Sequence, residues 1–137
     1  MTPERMGEVY AAAFPKGRAW SPLELAELIG GPGGFEVSVD AGFAIGRAIA
    51  GEAELITIAV DPARQGRGAG RVLLAAFEDT ARRRGAVSAF LEVAADNAAG
   101  LALYRSAGWQ ESGCRRGYYP RTGADPVDAI LMTKPLG

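Results

Sequence analysis

The sequence predicts an α+β domain in which a mixed, mostly antiparallel sheet is flanked by helices. Three observations carry that expectation. Three strand-like runs follow one another between residues 35 and 60 with only short turns between them, as in an antiparallel meander. A glycine-rich segment then opens into a stretch with helical spacing of its apolar residues. After it come another alternating run, a second short helical pattern and two closing strand-like runs. No repeat, low-complexity tract or linker divides the chain, so residues 1–137 are read as one domain.

The first elements are helical. Thr2-Pro3 marks a helix start with proline at the first helical position, and Met6, Val9, Tyr10 and Ala13 fall on one face before Pro15 ends it. Ser21-Pro22-Leu23-Glu24 is a capping box, Leu25, Leu28 and Ile29 form the buried face behind it, and Gly30 closes the helix. GGPGG at 30–34 reads as a flexible connector.

The meander follows. Phe35, Val37 and Val39 alternate, Asp40-Ala41-Gly42 turns, and Phe43 to Ala50 runs back. Gly51 and Glu52 turn into Glu54–Val60, which is apolar on both faces near its end, as a central strand would be. Beyond the glycines, Gly70, Leu73, Leu74, Phe77 and Ala81 share a helical face. Arg82, Arg83 and Arg84 suit the end of that helix, more readily a solvated terminus than a nucleic-acid patch, and Gly85 supplies the cap. Val87, Ala89, Leu91 and Val93 alternate as a further strand; Asn97 caps a helix through Ala107, ended by Gly108. Trp109 to Arg115 and Asp128 to Lys134 are the last strands, placed around a loop, GYYPRTGADP.

Composition narrows the chemistry. Hydrophobic residues make up 48% and charged residues 23%, ordinary for a globular chain. A net charge of −1 gives no global field to draw in nucleic acid or an anionic membrane, so neither is expected as a partner. The absence of histidine removes a Ser-His-Asp triad, a Cys-His pair and any His-ligated metal site. Cys114 is alone and can close no intrachain disulfide. No apolar run approaches the roughly eighteen residues of a membrane span. MTPERMGEVY lacks the basic-then-apolar order of a signal peptide, so a cytoplasmic, metal-free protein is expected.

The stretch VDPARQGRGAGRVLL, Val60 to Leu74, carries the first chemical signal. A strand that passes through a glycine loop into a helix aims backbone N–H groups and a helix N-terminus at one spot, which favours an anion and above all a phosphate. The segment lacks the Lys-Ser/Thr of a nucleotide P-loop, and its spacing is not GxGxxG. On the glycines alone, a plain turn before a helix is the competing reading.

The surrounding motifs make the signal specific. Gln65-x-x-Gly68-x-Gly70 matches the Q/R-x-x-G-x-G/A signature of the GNAT superfamily of acyl-CoA-dependent N-acyltransferases. LEVAADNAAGLALYRSAGW, Leu91 to Trp109, resembles that superfamily's E-V…N-x-x-A…L-Y-x-x-x-G-F/W block. CRRGYYP at Cys114–Pro120 and DAILM at Asp128–Met132 resemble more narrowly the bacterial ribosomal-protein-alanine N-acetyltransferases of the RimI type. The resemblance covers Leu55 to Leu136.

It implies a GNAT fold and acetyl-CoA as cosubstrate, without a metal. Main-chain groups of Ile58, Ala59 and Val60 would hold the acetyl-pantetheine arm like an added strand. N–H groups of Gln65, Gly66, Arg67, Gly68, Ala69, Gly70 and Arg71 would cradle the pyrophosphate, and Asn97 would touch the cofactor. Glu92 would be the general base and Tyr104 the general acid beside the thiol. The implied acceptor is a protein N-terminus, that of a ribosomal protein beginning with alanine.

The residues themselves agree with those roles. Glu92 interrupts the apolar run Phe90, Leu91, Val93, where desolvation works against its charge and suits it to taking a proton from an ammonium. An α-ammonium starts near pKa ~8, against ~10.4 for lysine, so an N-terminal amine demands less of that base. Backbone N–H groups around Ile58–Val60 would face the oxygen of the reacting carbonyl. Each role has a structural counterpart: Glu92 as an edge-strand charge facing water, Tyr104 as helix packing and Asn97 as a cap. Tyr118 and Tyr119 either line the peptide groove or pack together in their loop.

Departures from the pattern fall on the acceptor side. The family opens on a strand, whereas this chain starts almost directly in a helix. The family's Phe-Pro-Trp-Ser run is split here into Phe14-Pro15, KGRA and Trp20-Ser21; Ala94 stands for an arginine and Gly117 for an asparagine. Three readings therefore stand: an N-terminal-alanine acetyltransferase, a GNAT enzyme for another peptide, lysine or small amine, and an acyl-CoA-binding module without turnover.

Overall fold

The computed structural model describes residues 1–137. The order of elements is α1 (Pro3–Ala13), α2 (Pro22–Gly30), β1 (Gly34–Val39), β2 (Gly42–Ile49), β3 (Glu52–Val60), α3 (Ala69–Arg83), β4 (Ser88–Ala94), α4 (Ala98–Ser106), β5 (Gln110–Arg121) and β6 (Ala124–Pro135). A single 3-10 turn, Pro62–Arg64, follows β3. The six strands form one sheet in the order β1-β2-β3-β4-β6-β5, and β3–β4 is its only parallel pair. The α3 crossover joins those two strands, as a parallel pair requires.

The local signals act where the sequence places them. Thr2 Oγ1 accepts from Arg5 N at 3.1 Å, and Ser21 with Glu24 forms a reciprocal capping box. No strand precedes α1.

Helices cover both faces of the sheet. On one side α3 presents Leu73, Leu74, Phe77 and Ala81 to a core that includes Leu55, Leu91, Val93, Tyr104, Trp109 and Met132. On the other, Met6 and Val9 of α1 and Leu25 of α2 meet Phe43, Ile45 and Ala59. Phe35 and Phe77 stack at 5.8 Å over Gly46, where a Cβ would lie 2.6 Å from both rings. Behind α3, the buried Glu78 accepts from Lys134 Nζ at 2.6 Å and from Trp109 Nε1 at 3.3 Å. Lys134 also caps the Ala107 carbonyl at 2.7 Å, bracing α3, the end of α4 and β6 together.

Two sequence expectations change. Val87 lies outside β4 and is 65% exposed; its N–H and carbonyl tie to Gly51 and Leu136 while its side chain faces out. GYYPRTGADP is mostly strand, because β5 and β6 run on through it to a two-residue turn at Thr122-Gly123. Gly123 at φ +72 and Gly117 at φ +59 provide the left-handed turn position and a kink in the long hairpin.

The feature that shapes the site is an interruption between the two central strands. The β2–β3 register passes from Ile45↔Thr57 to Gly46↔Leu55 and leaves Ile56 unopposed. Before this bulge Ala53 and Leu55 face the larger core; after it Ile58 and Val60 do so, and Ala59 turns to the smaller one. Parallel pairing of β3 with β4 stops at Leu55↔Leu91, although each strand continues with its outer neighbour. From there the two strands diverge.

Candidate active site

A cleft of about 700 Å³ occupies the gap. Leu55 to Ile58 and Leu91 to Ala94 form its strand walls, while Asn97 and Tyr104 bound it on the α4 side. Tyr118, Tyr119 and Arg121 come from the hairpin, and Tyr10, Phe14, Lys16 and Trp20 from α1 and the segment after it. Beyond Leu55 and Leu91, both strands turn a main-chain edge without a ladder partner into the gap. Such an edge is suited to an extended, amide-bearing ligand arm.

Glu92 is on central β4, paired opposite Leu131 of β6, and is not an edge residue. Its side chain is 20% exposed, and Oε1 lies 3.5 Å from Nη2 of Arg115. Oε2 is buried and has no hydrogen-bond partner. A buried carboxylate oxygen without a donor is costly, so this atom is open to a donor from a ligand.

Tyr104 is 5% exposed, with its ring 6.2 Å from that of Trp109. Burial, reinforced by Tyr119, raises its phenol well above the usual tyrosine value and keeps the proton in place. Tyr119 is pushed up to about 12 by burial, then by the Glu92 carboxylate, with Tyr118 and Tyr10 adding and Arg121 opposing. Tyr118 packs edge-on against Tyr119 at 5.1 Å. Asn97 Oδ1 accepts from Gly100 N at 2.9 Å, so the residue is a helix cap that also lines the cleft.

The glycine loop continues directly from the free edge of β3. Gln65 Nε2 donates to the Val60 carbonyl at 3.1 Å and folds the loop back on the strand end. Gly66 and Gly68 take φ +79 and +84, and a Cβ on either would meet nothing within 4 Å. Conformation, not crowding, selects glycine there. Gly68 caps α3 without a side-chain hydrogen bond, so the N–H groups of Ala69, Gly70 and Arg71 point out of the helix start with no side-chain acceptor. The donor set fits a diphosphate. Gly70 has another constraint: a Cβ would lie 3.3 Å from Leu103 Cδ2, where α3 approaches α4.

The structure thus gathers Ile58, Glu92, Asn97, Tyr104, Tyr118 and Tyr119 around one cleft. Ala59 is 2% exposed in the core beneath α1, which leaves only its main chain for a ligand. Gln65 to Arg71 lie outside the cleft lining, on the loop beyond β3. Tyr10, Trp20, Asp96 and Arg121 were not singled out from the sequence as site residues. Tyr10 carries the signal of a helix-face aromatic, while nothing local links Asp96 to Arg121. No group of three or more His, Cys, Asp or Glu side chains is placed to hold a metal, and no helix is long and apolar enough to cross a membrane.

Known proteins resemble this chain in sequence and in fold. The chain is 49% identical over 96 residues to ribosomal protein bS18-alanine N-acetyltransferase of Salmonella typhimurium, covering 70% of this chain and 64% of that one. That match spans somewhat less than two thirds of the relative's length. The chain is 41% identical over 131 residues to N-alpha-acetyltransferase RimI of Mycobacterium tuberculosis, 89% of this chain and 81% of the other. The crystal structure of the ribosomal-protein-S18-alanine N-acetyltransferase from Escherichia coli superimposes with a TM-score of 0.79 at 36% identity, covering 95% of this chain and 87% of that one. Residues 5–109 match the profile of the acetyltransferase (GNAT) family. With the splayed central strands and the glycine loop, these matches make the chain a member of the GNAT acetyltransferase family.

Proposed function

We propose that this protein transfers the acetyl group of acetyl-CoA directly to the N-terminal α-amine of a protein, with the N-terminal alanine of a ribosomal protein as the favoured acceptor. The observation that carries the reading is Glu92: a carboxylate on a central strand, with one buried oxygen unpartnered, in the wall of the cleft between β3 and β4. The relatives named for alanine N-acetylation support the choice of acceptor.

Acetyl-CoA supplies an activated thioester. Gln65 to Arg71 would hold its diphosphate through main-chain N–H groups, and the edge of β3 at Ile58, Ala59 and Val60 would bond the amide-bearing arm. Asn97 would bound the arm on the α4 side. The same β3 edge offers N–H donors to the carbonyl oxygen on which negative charge develops.

Glu92 takes the proton that the acceptor ammonium must lose before its nitrogen can attack. Its buried oxygen has no competing donor inside the protein. The Arg115 guanidinium lies 3.5 Å from the other oxygen, and the unpartnered one is left for the amine. Tyr104, kept protonated by burial, gives its proton to the departing sulfur, and the phenolate is restored by the proton that the acceptor nitrogen releases on becoming an amide. Tyr118 and Tyr119, which line the cleft, would face the acceptor.

A peptide panel tests this reading. Peptides beginning Ala, Ser or Met, and one beginning acetyl-Ala with an internal lysine, are incubated with acetyl-CoA, and mass spectrometry locates the added group. Acetylation of the α-amine of the Ala peptide is expected. Modification of internal lysine alone would replace it with a lysine acetyltransferase, and coenzyme binding without product would leave a binding module.

A further inference from the structure

One wall of the cleft is held only in part by the strand ladder. The tip of the β5–β6 hairpin carries Tyr118, Tyr119 and Arg121, and the register breaks there twice, between Arg115 and Tyr119 and between Tyr119 and Arg121. Gly117 kinks the strand at φ +59. Each break removes cross-strand bonds that would otherwise fix the direction of the side chains. The tip needs another anchor.

Arg121 provides it. Its Nε and Nη2 donate to the two carboxylate oxygens of Asp96 at 3.0 and 2.9 Å, and Nη1 donates to the Pro120 carbonyl at 2.9 Å. This is the planar fork-to-carboxylate geometry that arginine forms and lysine cannot. The Arg121 side chain is 12% exposed, and its guanidinium lies 5.7 Å from the ring centroid of Tyr119. Asp96 precedes Asn97, the cap of α4, and α4 carries Tyr104. A single bidentate pair therefore ties the hairpin that bears Tyr119 to the start of the helix that bears Tyr104.

We propose that Arg121 and Asp96 are positioning residues for the acceptor, a latch that holds the hairpin tip so that Tyr119 stays in the cleft wall beside Glu92. The proposal rests on the acetyl-transfer reading of the cleft. Neither residue touches the reacting atoms, and the glycine loop that would bind the coenzyme lies outside the latch. Asn97, beside Asp96, is held separately by its bond from Gly100 N, so the acceptor and not the cosubstrate should feel the loss of the latch.

Two measurements on Arg121→Ala test the latch. Hydrogen exchange followed by mass spectrometry should show faster exchange across residues 117–126, with β2 and β3 unchanged. The KM for an Ala-initiated peptide should rise by about ten- to a hundredfold, up to the scale of a misplaced positioning group, while the dissociation constant of acetyl-CoA stays the same. Arg121→Lys should fall between that variant and the unaltered chain, and the swapped pair Arg121→Asp with Asp96→Arg should recover part of the peptide KM. Unchanged exchange at the tip, an unchanged peptide KM, or an equal loss of coenzyme affinity would overturn the proposal. If the unaltered chain acetylates no peptide, the acetyl-transfer reading fails and the latch's role falls with it. With transfer intact, an unchanged peptide KM removes the latch alone.

Discussion

Leu55 of β3 and Leu91 of β4 are the last residues paired between the two central strands, and the cleft begins where their pairing stops. The bulge at Ile56 lies one residue further along β3 and changes which face each later side chain occupies. It lets Ile58 and Val60 pack on the α3 side while the strand edge stays open toward Glu92. Sheet irregularity and site are one feature.

The glycine loop is a first place to test this arrangement. Gly68→Ala places a Cβ in open space at φ +84, so its cost is conformational, about 1 kcal/mol. Thermal denaturation should show a small loss of stability, and calorimetry a weaker affinity for acetyl-CoA. Gly46→Ala is the contrasting case, because its Cβ would lie 2.6 Å from the Phe35 and Phe77 rings. Overpacking there should cost about 1–3 kcal/mol by denaturant titration.

Glu78 separates bracing from chemistry. It is buried, and Glu78→Ala would leave Lys134 Nζ and Trp109 Nε1 without their acceptor. The expected loss is about 3 kcal/mol of unfolding free energy, the range for removing one partner of a buried ion pair. The replacement Glu78→Gln, which keeps an acceptor oxygen for the indole, should lose less.

Alkaline pH should act through the buried tyrosines. Tyr104 and Tyr119 have folded-state values raised above the ordinary 10.0, with Tyr119 at about 12. Their protonated forms are therefore favoured by folding, and this contribution is complete below pH 10.0. It is lost as pH rises from there through the folded values. Circular dichroism should show stability falling above that point. Tyr119→Phe should remove a tyrosinate absorbance step near pH 12 from the folded protein.

Much of this was legible in the sequence because local rules dominated. The Thr2 and Ser21 caps, the Asn97 cap and the α3 face each rest on residues within a turn or two of one another, and the glycine loop is contiguous. Glu92 stood out as a charge in an apolar run. Its place on a central strand and its unpartnered oxygen depend on β6 and β5, which lie far along the chain. The extended hairpin was hidden because Gly117, Pro120, Gly123 and Pro126 read as loop residues; in the structure they sit at kinks and a turn of one long ribbon. The Arg121–Asp96 pair has no local signature at all.

The central claim is that Glu92 accepts the acceptor's proton in the cleft between the diverging strands. Its most direct test is Glu92→Gln, which keeps the shape and removes the base. Steady-state turnover on an Ala-initiated peptide should fall by about 10²–10⁴-fold, while calorimetry gives an unaltered dissociation constant for acetyl-CoA. A parallel loss of coenzyme affinity, or turnover close to that of the unaltered chain, would contradict it.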